Sequence, residues 1–257
     1  MSKNTVKSVE RAMEILSALG QGKPQQSLSQ LSQSLSLPKT TVHRLIATLE
    51  EGGFVKQDPT TRCYGLGSKI LELAGALLKQ IDLRTVAYPY LEELALATRQ
   101  TVSLAILEGT DLVYLENFSR GAVFQQPAQI GLRLPAFCRG LGKAILAFLP
   151  DSKQQELLEK IDFIPQTPKT ITDPTEYKNH LLQVRRQGYA VDNEEAAQGC
   201  KCIASPIFDF SRKAIAAVSL SGPAQDFTPE KMAQYTELVL ETGRKISKAM
   251  GGGGRDN

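Results

Sequence analysis

Between Pro38 and Glu50 the chain runs Lys39-Thr40-Thr41-Val42-His43-Arg44, with no acidic residue before Glu50. Cationic and hydroxyl side chains in this density grip phosphates and donate to base edges, so the chemistry they suit is that of a polyanion. A second group is Cys200-Lys201-Cys202, where a thiolate can act as nucleophile or metal ligand. Such work needs a base or further ligands. The chain holds only two histidines, His43 in the cationic run and His180 on a segment expected to be an exposed helix. No Cys-x-x-Cys, Gly-x-Ser-x-Gly or His-Glu-x-x-His pattern is present. A pairing of Cys202 with His180 stays open, but small buried hydrophobe is the commoner role of such cysteines. The expectation is therefore no enzyme, no catalytic residue, no metal and no cofactor.

The elements that must carry the cationic run can be read from periodicity. Val9, Ala12, Met13, Leu16 and Leu19 recur at helical spacing, which predicts a helix from Ser8 to Leu19 with an apolar stripe, ended by Gly20, Gly22 and Pro24. Ser27 and Gln30 have capping-box spacing before a second helix, 27–35, whose Leu28, Leu31 and Leu35 share a face. Pro38 opens a third helix that buries Val42, Leu45, Ile46 and Leu49 and turns Thr40, Arg44 and Ala47 outward, flanked by Thr41 and His43. Gly52-Gly53 ends it. Residues 54–57 and 62–66 then pair across the turn-rich tip 58–61, bringing Lys56 and Arg62 to a hairpin.

Helix, helix, tight turn, helix and hairpin make a winged helix-turn-helix. Its third helix fits the major groove, its first-turn N–H groups suit a phosphate, and the hairpin reaches the neighbouring backbone. Lys39, Thr40, Thr41, His43, Arg44, Lys56 and Arg62 are the expected DNA contacts. The alternative is a three-helix protein-interaction module whose outer face is merely solvated, as in a metabolite-binding adaptor.

Charge and length agree with a small basic unit on a larger neutral body. Residues 1–80 carry ten Lys/Arg against six Asp/Glu, whereas the remainder of the 257-residue chain carries 20 against 21. That length suggests two domains. The four cysteines are too few for a disulfide framework, and no apolar run reaches the ~18 residues of a membrane span. The opening Met1–Glu10 has no signal-peptide centre, so a cytoplasmic protein is expected.

Several segments carry a resemblance. Leu35–Phe54, Val6–Leu16, Leu83–Leu94, Gly140–Leu149, Arg186–Glu195, Cys202–Asp209 and Ala217–Pro223 are similar, in the same order along the chain, to the IclR family of bacterial transcription factors. Ser36 departs from the family at a turn position where glycine is frequent. The remaining chain reads as a helix over 68–80, a helix over 83–98 and a hairpin of 101–107 with 112–118. Strands are expected at 121–126, 189–192, 201–208 and 214–221, and helices at 140–149, 151–160, 173–187 and 228–250. This is an α+β body with an antiparallel sheet flanked by helices, which the resemblance implies is a GAF-like effector-binding domain.

The expected domains are a winged helix-turn-helix (1–67), a linker helix (68–82), the effector domain (83–250) and a disordered tail (251–257). The resemblance further implies a site for a small organic acid or related metabolite, such as a carboxylate or keto-acid, at Gly140, Leu141, Asp192, Cys202, Ser219 and Ser221, with Leu134 in its apolar wall. It implies a ligand-responsive regulator, repression being the commoner family mode. It also implies a homodimer, or a dimer of dimers, on a double-stranded operator. The competing reading is a cytoplasmic enzyme acting on a small acid through Cys202 and Asp192.

Overall fold

The computed structural model describes residues 5–21, 25–80, 82–118 and 129–252. Its backbone contacts divide the chain between Ile81 and Asp82 into two units. The N-terminal unit holds α1 (Lys7–Gln21), α2 (Leu28–Ser34), α3 (Lys39–Glu51), β1 (Val55–Gln57), β2 (Tyr64–Leu66) and α4 (Ser68–Gln80). Its core is Ile15, Leu19, Leu31, Val42, Ile46, Val55 and Tyr64. Each fully buried aliphatic side chain there contributes roughly 1.5–3 kcal/mol.

The expected stripe of α1 needs correction. The buried face centres on Ile15 and Leu19, while Val9 and Met13 are more than half exposed. At ~100° per residue, Val9 and Met13, with Val6 just ahead of the helix, form a separate row roughly a third of a turn round from Ile15 and Leu19. The apolar spacing was real, but it marks two adjoining rows of which the core covers one.

Local chemistry fixes the ends of these helices. The Ser27 hydroxyl accepts from the Gln30 N–H at 3.3 Å and the Gln30 side chain accepts from the Ser27 N–H at 2.8 Å, a complete capping box. Ser36 has φ +53°, the left-handed conformation that glycine adopts without strain, and Ser32 Oγ closes the turn on the Leu37 carbonyl at 2.6 Å. Pro38 stands as the N-cap of α3, one residue before its expected place inside the first turn. At the other end Gly53 takes φ +73°, and the Phe54 N–H reaches the Leu49 carbonyl at 2.8 Å, a Schellman closure. β1 and β2 pair antiparallel, and Gln26 bridges to Tyr64 as a third short rung.

The C-terminal unit is built on a six-stranded antiparallel sheet in the order β5-β4-β3-β8-β7-β6. The strands are β3 (Thr101–Glu108), β4 (Asp111–Phe118), β5 (Arg133–Pro135), β6 (Ala190–Asn193), β7 (Cys200–Phe208) and β8 (Ala214–Pro223). α5 (Asp82–Thr98) and α9 (Pro229–Ala249) pack on one side of the sheet, where α9 meets β7 and β8 and α5 meets β3 and β4. α6 (Gly140–Leu146) packs against β6, β7, β8 and β3 from the opposite side, backed by α8 (Pro174–Gln187). α7 (Asp151–Leu158) joins the same core through Leu157.

The expected elements recur within a few residues of their predicted ends, except β5, a three-residue edge strand that was not foreseen. The strand expected at 121–126 lies outside the described residues. Of the tail expected to be disordered, Gly251 bridges to Asp209 and the Gly252 N–H bonds the Ser247 carbonyl at 2.7 Å, while 253–257 lie outside the described residues.

Candidate functional site

In the N-terminal unit, burying Val42 and Ile46 turns the other side of α3 to solvent. Lys39, Thr40, His43, Arg44 and Ala47 are exposed and Thr41 is half-buried. Lys56 and Arg62 are exposed on the hairpin. Among the described residues no carboxylate pairs with Lys39, Arg44, Lys56 or Arg62. Arg62 has φ +58°, held by its N–H on the Asp58 carbonyl at 2.9 Å. The Asp58 carboxylate accepts from the Thr60 and Thr61 N–H groups at 2.9 and 2.8 Å, which keeps its pKa below the usual carboxylate value. A groove between α1 and α3 is lined by Arg11 and Ser8 together with Thr41 and Arg44. Arg11 had not been singled out, since a lone arginine on an amphipathic helix gives no sign of what it faces.

The candidate effector residues are assembled by cross-strand register. Asp192 lies opposite Cys202, Cys202 opposite Ser221 and Ser221 opposite Thr101, so one row crosses four strands. The next row on the same face is Ala190, Ala204, Ser219 and Ser103. α6 begins directly over these rows. A Cβ on Gly140 would stand 3.0 Å from Cys202 Sγ and 3.4 Å from Ala204 Cβ, so the bare glycine lets the helix approach the strand. Gly140, Asp192, Cys202, Ser219 and Ser221 thus share one place. Leu141 sends its side chain into the core and leaves only its backbone toward the start of α6. Leu134 stands apart, half-buried on edge strand β5 opposite Leu112.

Burial sets the protonation of this face. Asp192 is 4% exposed and its carboxyl is pushed up to about 6, chiefly by burial and against the pull of Lys143. Its Oδ1 accepts from the Glu195 N–H at 2.7 Å and more weakly from Ala196. Burial also drives the Cys202 thiol far above its ordinary value and Cys200 up to about 11, so both remain neutral thiols. Behind them Lys143, wholly buried, donates to Glu195 Oε1 and to the Val191 carbonyl, each at 2.5 Å. Tyr177 is fully buried beside Glu195, which with burial raises its phenol well above its usual pKa.

His180 corrects an expectation: it is half-buried, not exposed, because α8 packs Tyr177, Leu181 and Val184 inward and His180 borders that stripe. Burial and the neighbouring Lys143 bring its pKa down to about 4. No contact between His180 and Cys202 occurs among the described residues, and none of their His, Cys, Asp and Glu groups forms a candidate metal cluster. Arg139, the residue before α6, was not anticipated; its Nη1 donates to the Pro135 carbonyl and to Cys138 Sγ, both at 3.2 Å.

Comparison with known proteins defines the class. Residues 8–59 match the IclR helix-turn-helix domain and residues 75–248 match the bacterial transcriptional regulator IclR C-terminal family. The chain belongs to the IclR family of transcriptional regulators. It is 33% identical to the HTH-type transcriptional regulator XynR of Escherichia coli, over 96% of this chain and 98% of that one. It is 30% identical to the transcriptional repressor IclR of Escherichia coli, over 96% and 91%. Among solved structures, an IclR homolog from Microbacterium hydrocarbonoxydans complexed with 4-hydroxybenzoate superposes with TM-score 0.84 at 25% identity, covering 95% of this chain and 98% of that one.

Proposed function

We propose that this protein is a ligand-responsive repressor in which α3 and the hairpin read an operator and the C-terminal unit senses a small organic acid. The observation that carries the reading is the exposed Lys39–Arg44 surface of α3, whose cations have no acidic partner among the described residues. Lys39, Thr40, Thr41, His43, Arg44, Lys56 and Arg62 then contact duplex DNA, and phosphate neutralisation supplies most of the affinity. The winged helix-turn-helix is assigned to 1–67, the linker to 68–82 and the effector domain to 83–250. Gly140, Leu141, Asp192, Cys202, Ser219 and Ser221 are assigned to the effector, with Leu134 in the wall. The relative whose structure holds 4-hydroxybenzoate supports a carboxylate as ligand class.

A homodimer would present two α3 helices to half-sites about one helical turn apart, or a multiple of it. The exposed Val6, Val9 and Met13 row offers such an assembly an apolar surface to cover. No helix among the described residues is long and apolar enough to cross a membrane, and an operator as partner supports the expected cytoplasmic location. The enzyme reading has weaker support, because a nucleophilic Cys202 needs a thiolate that burial opposes.

The test is a gel shift on DNA from the protein's own promoter region across a salt series. Affinity should fall steeply as salt rises. Arg44→Ala should weaken binding about 10- to 100-fold with the thermal unfolding midpoint unchanged. Unaltered binding by that variant removes α3 from the interface. Ser219→Ala combined with Ser221→Ala should blunt the response to an acid while the operator is still bound, and a normal response moves the effector elsewhere.

A further inference from the structure

Building on the reading of the C-terminal unit as an acid sensor, we infer that Arg139 is the residue that fixes the effector's carboxylate, so that this chain selects anions over neutral ligands of the same shape. The residue is half-buried and immediately precedes Gly140, the glycine that lets α6 approach Cys202 and Ala204. Its Nη1 is held on the Pro135 carbonyl and Cys138 Sγ, which orients the guanidinium. The head group lies beside the Tyr114 hydroxyl and within electrostatic reach of Cys200. No carboxylate pairs with it among the described residues.

The charge balance around it is what singles Arg139 out. Lys143 is matched by Glu195 in a buried pair. The buried Asp192 carboxyl, its pKa raised to about 6, spends its Oδ1 on two backbone N–H groups and forms no ion pair with Arg139 among the described residues. Cys200, Cys202 and Tyr114 all keep their protons at neutral pH, Tyr114 being pushed up to about 12 by burial. Arg139 is thus a cation with no ion-pair partner among the described residues, beside hydroxyl and thiol groups that are neutral. A partly desolvated cation gains most from a charged partner, and the planar guanidinium meets a carboxylate through two parallel N–H···O bonds. A lysine offers the charge without that fork.

The experiment uses the full-length protein in a thermal-shift titration with small carboxylic acids, 4-hydroxybenzoate among them, each paired with its primary amide. A set of neutral sugars and cationic amines is run beside them. A ligand that binds only the folded state raises its midpoint, so the shift reports affinity. At least one acid should stabilise the wild type with its amide at least tenfold weaker. Arg139→Met should erase the preference for the acid, and Arg139→Lys should restore part of it, which loss of the Pro135 and Cys138 contacts alone would not produce.

If acid and amide shift the wild type equally, or if Arg139→Met discriminates as the wild type does, the assignment fails. It also fails if only neutral or cationic compounds shift the protein, with the sensor reading intact. A wild type that responds to no class of compound takes the sensor reading down as well. Should Arg139→Met not unfold cooperatively, Arg139→Lys decides the matter, since unchanged acid preference and affinity there exclude a forked contact.

Discussion

The cations of α3 stand in water with no acidic partner, whereas Lys143 in the C-terminal unit is fully buried against Glu195. Arg44 is cheap to hold in the folded protein, because an exposed guanidinium keeps its hydration. On the proposed reading its charge comes into use when DNA phosphates meet it and release counterions. Lys143, Glu195 and Asp192 have given up water, so each depends on its neighbours for hydrogen bonds. A surface that binds by charge can therefore be altered without unfolding the protein. A buried polar cluster cannot.

The strongest way to break that contrast is Lys143→Met, which strands the Glu195 carboxylate in the interior. Loss of one partner of a buried pair should destabilise by about 3–5 kcal/mol. Urea unfolding would read this as a lower midpoint, and a stability equal to wild type would mean that water reaches Glu195 after all.

Asp192→Asn sharpens the contrast through pH. The native carboxyl binds its proton more tightly than the unfolded one, with its pKa moved from 3.8 to about 6. Below about pH 4 both states are protonated and nothing is lost. Between pH 4 and 6 the wild type loses stability, and above 6 the loss is complete. The asparagine variant lacks this titration, and its side-chain oxygen can still accept from Glu195 and Ala196. It should gain on the wild type by about 2–3 kcal/mol over that interval. Parallel stability curves for the two proteins from pH 4 to 7 would show that Asp192 is not desolvated.

The smallest effect is expected at Ser36. Glycine there removes about 1–2 kcal/mol of left-handed strain but adds about 0.5–1 kcal/mol of unfolded-state entropy. Ser36→Gly should therefore raise stability by at most about 1.5 kcal/mol and leave operator affinity alone. A loss of stability would show that the serine side chain holds the turn in a way its φ does not reveal.

Legibility in the sequence followed the same divide. The outward face of α3 could be read from the spacing of Val42 and Ile46, since a helix that buries one side must expose the other. Ser27 with Gln30, and Gly52 with Gly53, marked helix ends by their own hydrogen-bonding needs. Ser219 and Ser221 could be placed on one face because they sit two apart in a strand. That they meet Cys202 and Asp192 depends on β8 lying between β3 and β7, and pairing of segments distant in the chain leaves no local pattern. Arg139 is a single residue ahead of a short helix, with nothing in its neighbours to distinguish it. His180 follows Lys178 and Asn179 at the border of the helix's apolar stripe, and only the packing of α8 on α6 decides that it is withdrawn from solvent. The extra row on α1 was misread because spacing reports periodicity and not which of two adjoining rows the core reaches.

Gly67 sits where any side chain would collide with the Gly53 carbonyl, the notional Cβ falling 2.1 Å from it. That same carbonyl accepts the Lys69 N–H at 3.1 Å, and the Gly67 N–H takes the Phe54 carbonyl at 2.8 Å. The last turn of α3 and the first turn of α4 are therefore riveted through one short stretch of main chain, with no slack loop between them. A pull or twist applied to the start of α4 has no compliant joint in which to dissipate and must drag the rear of α3, the helix proposed to read the operator, with it.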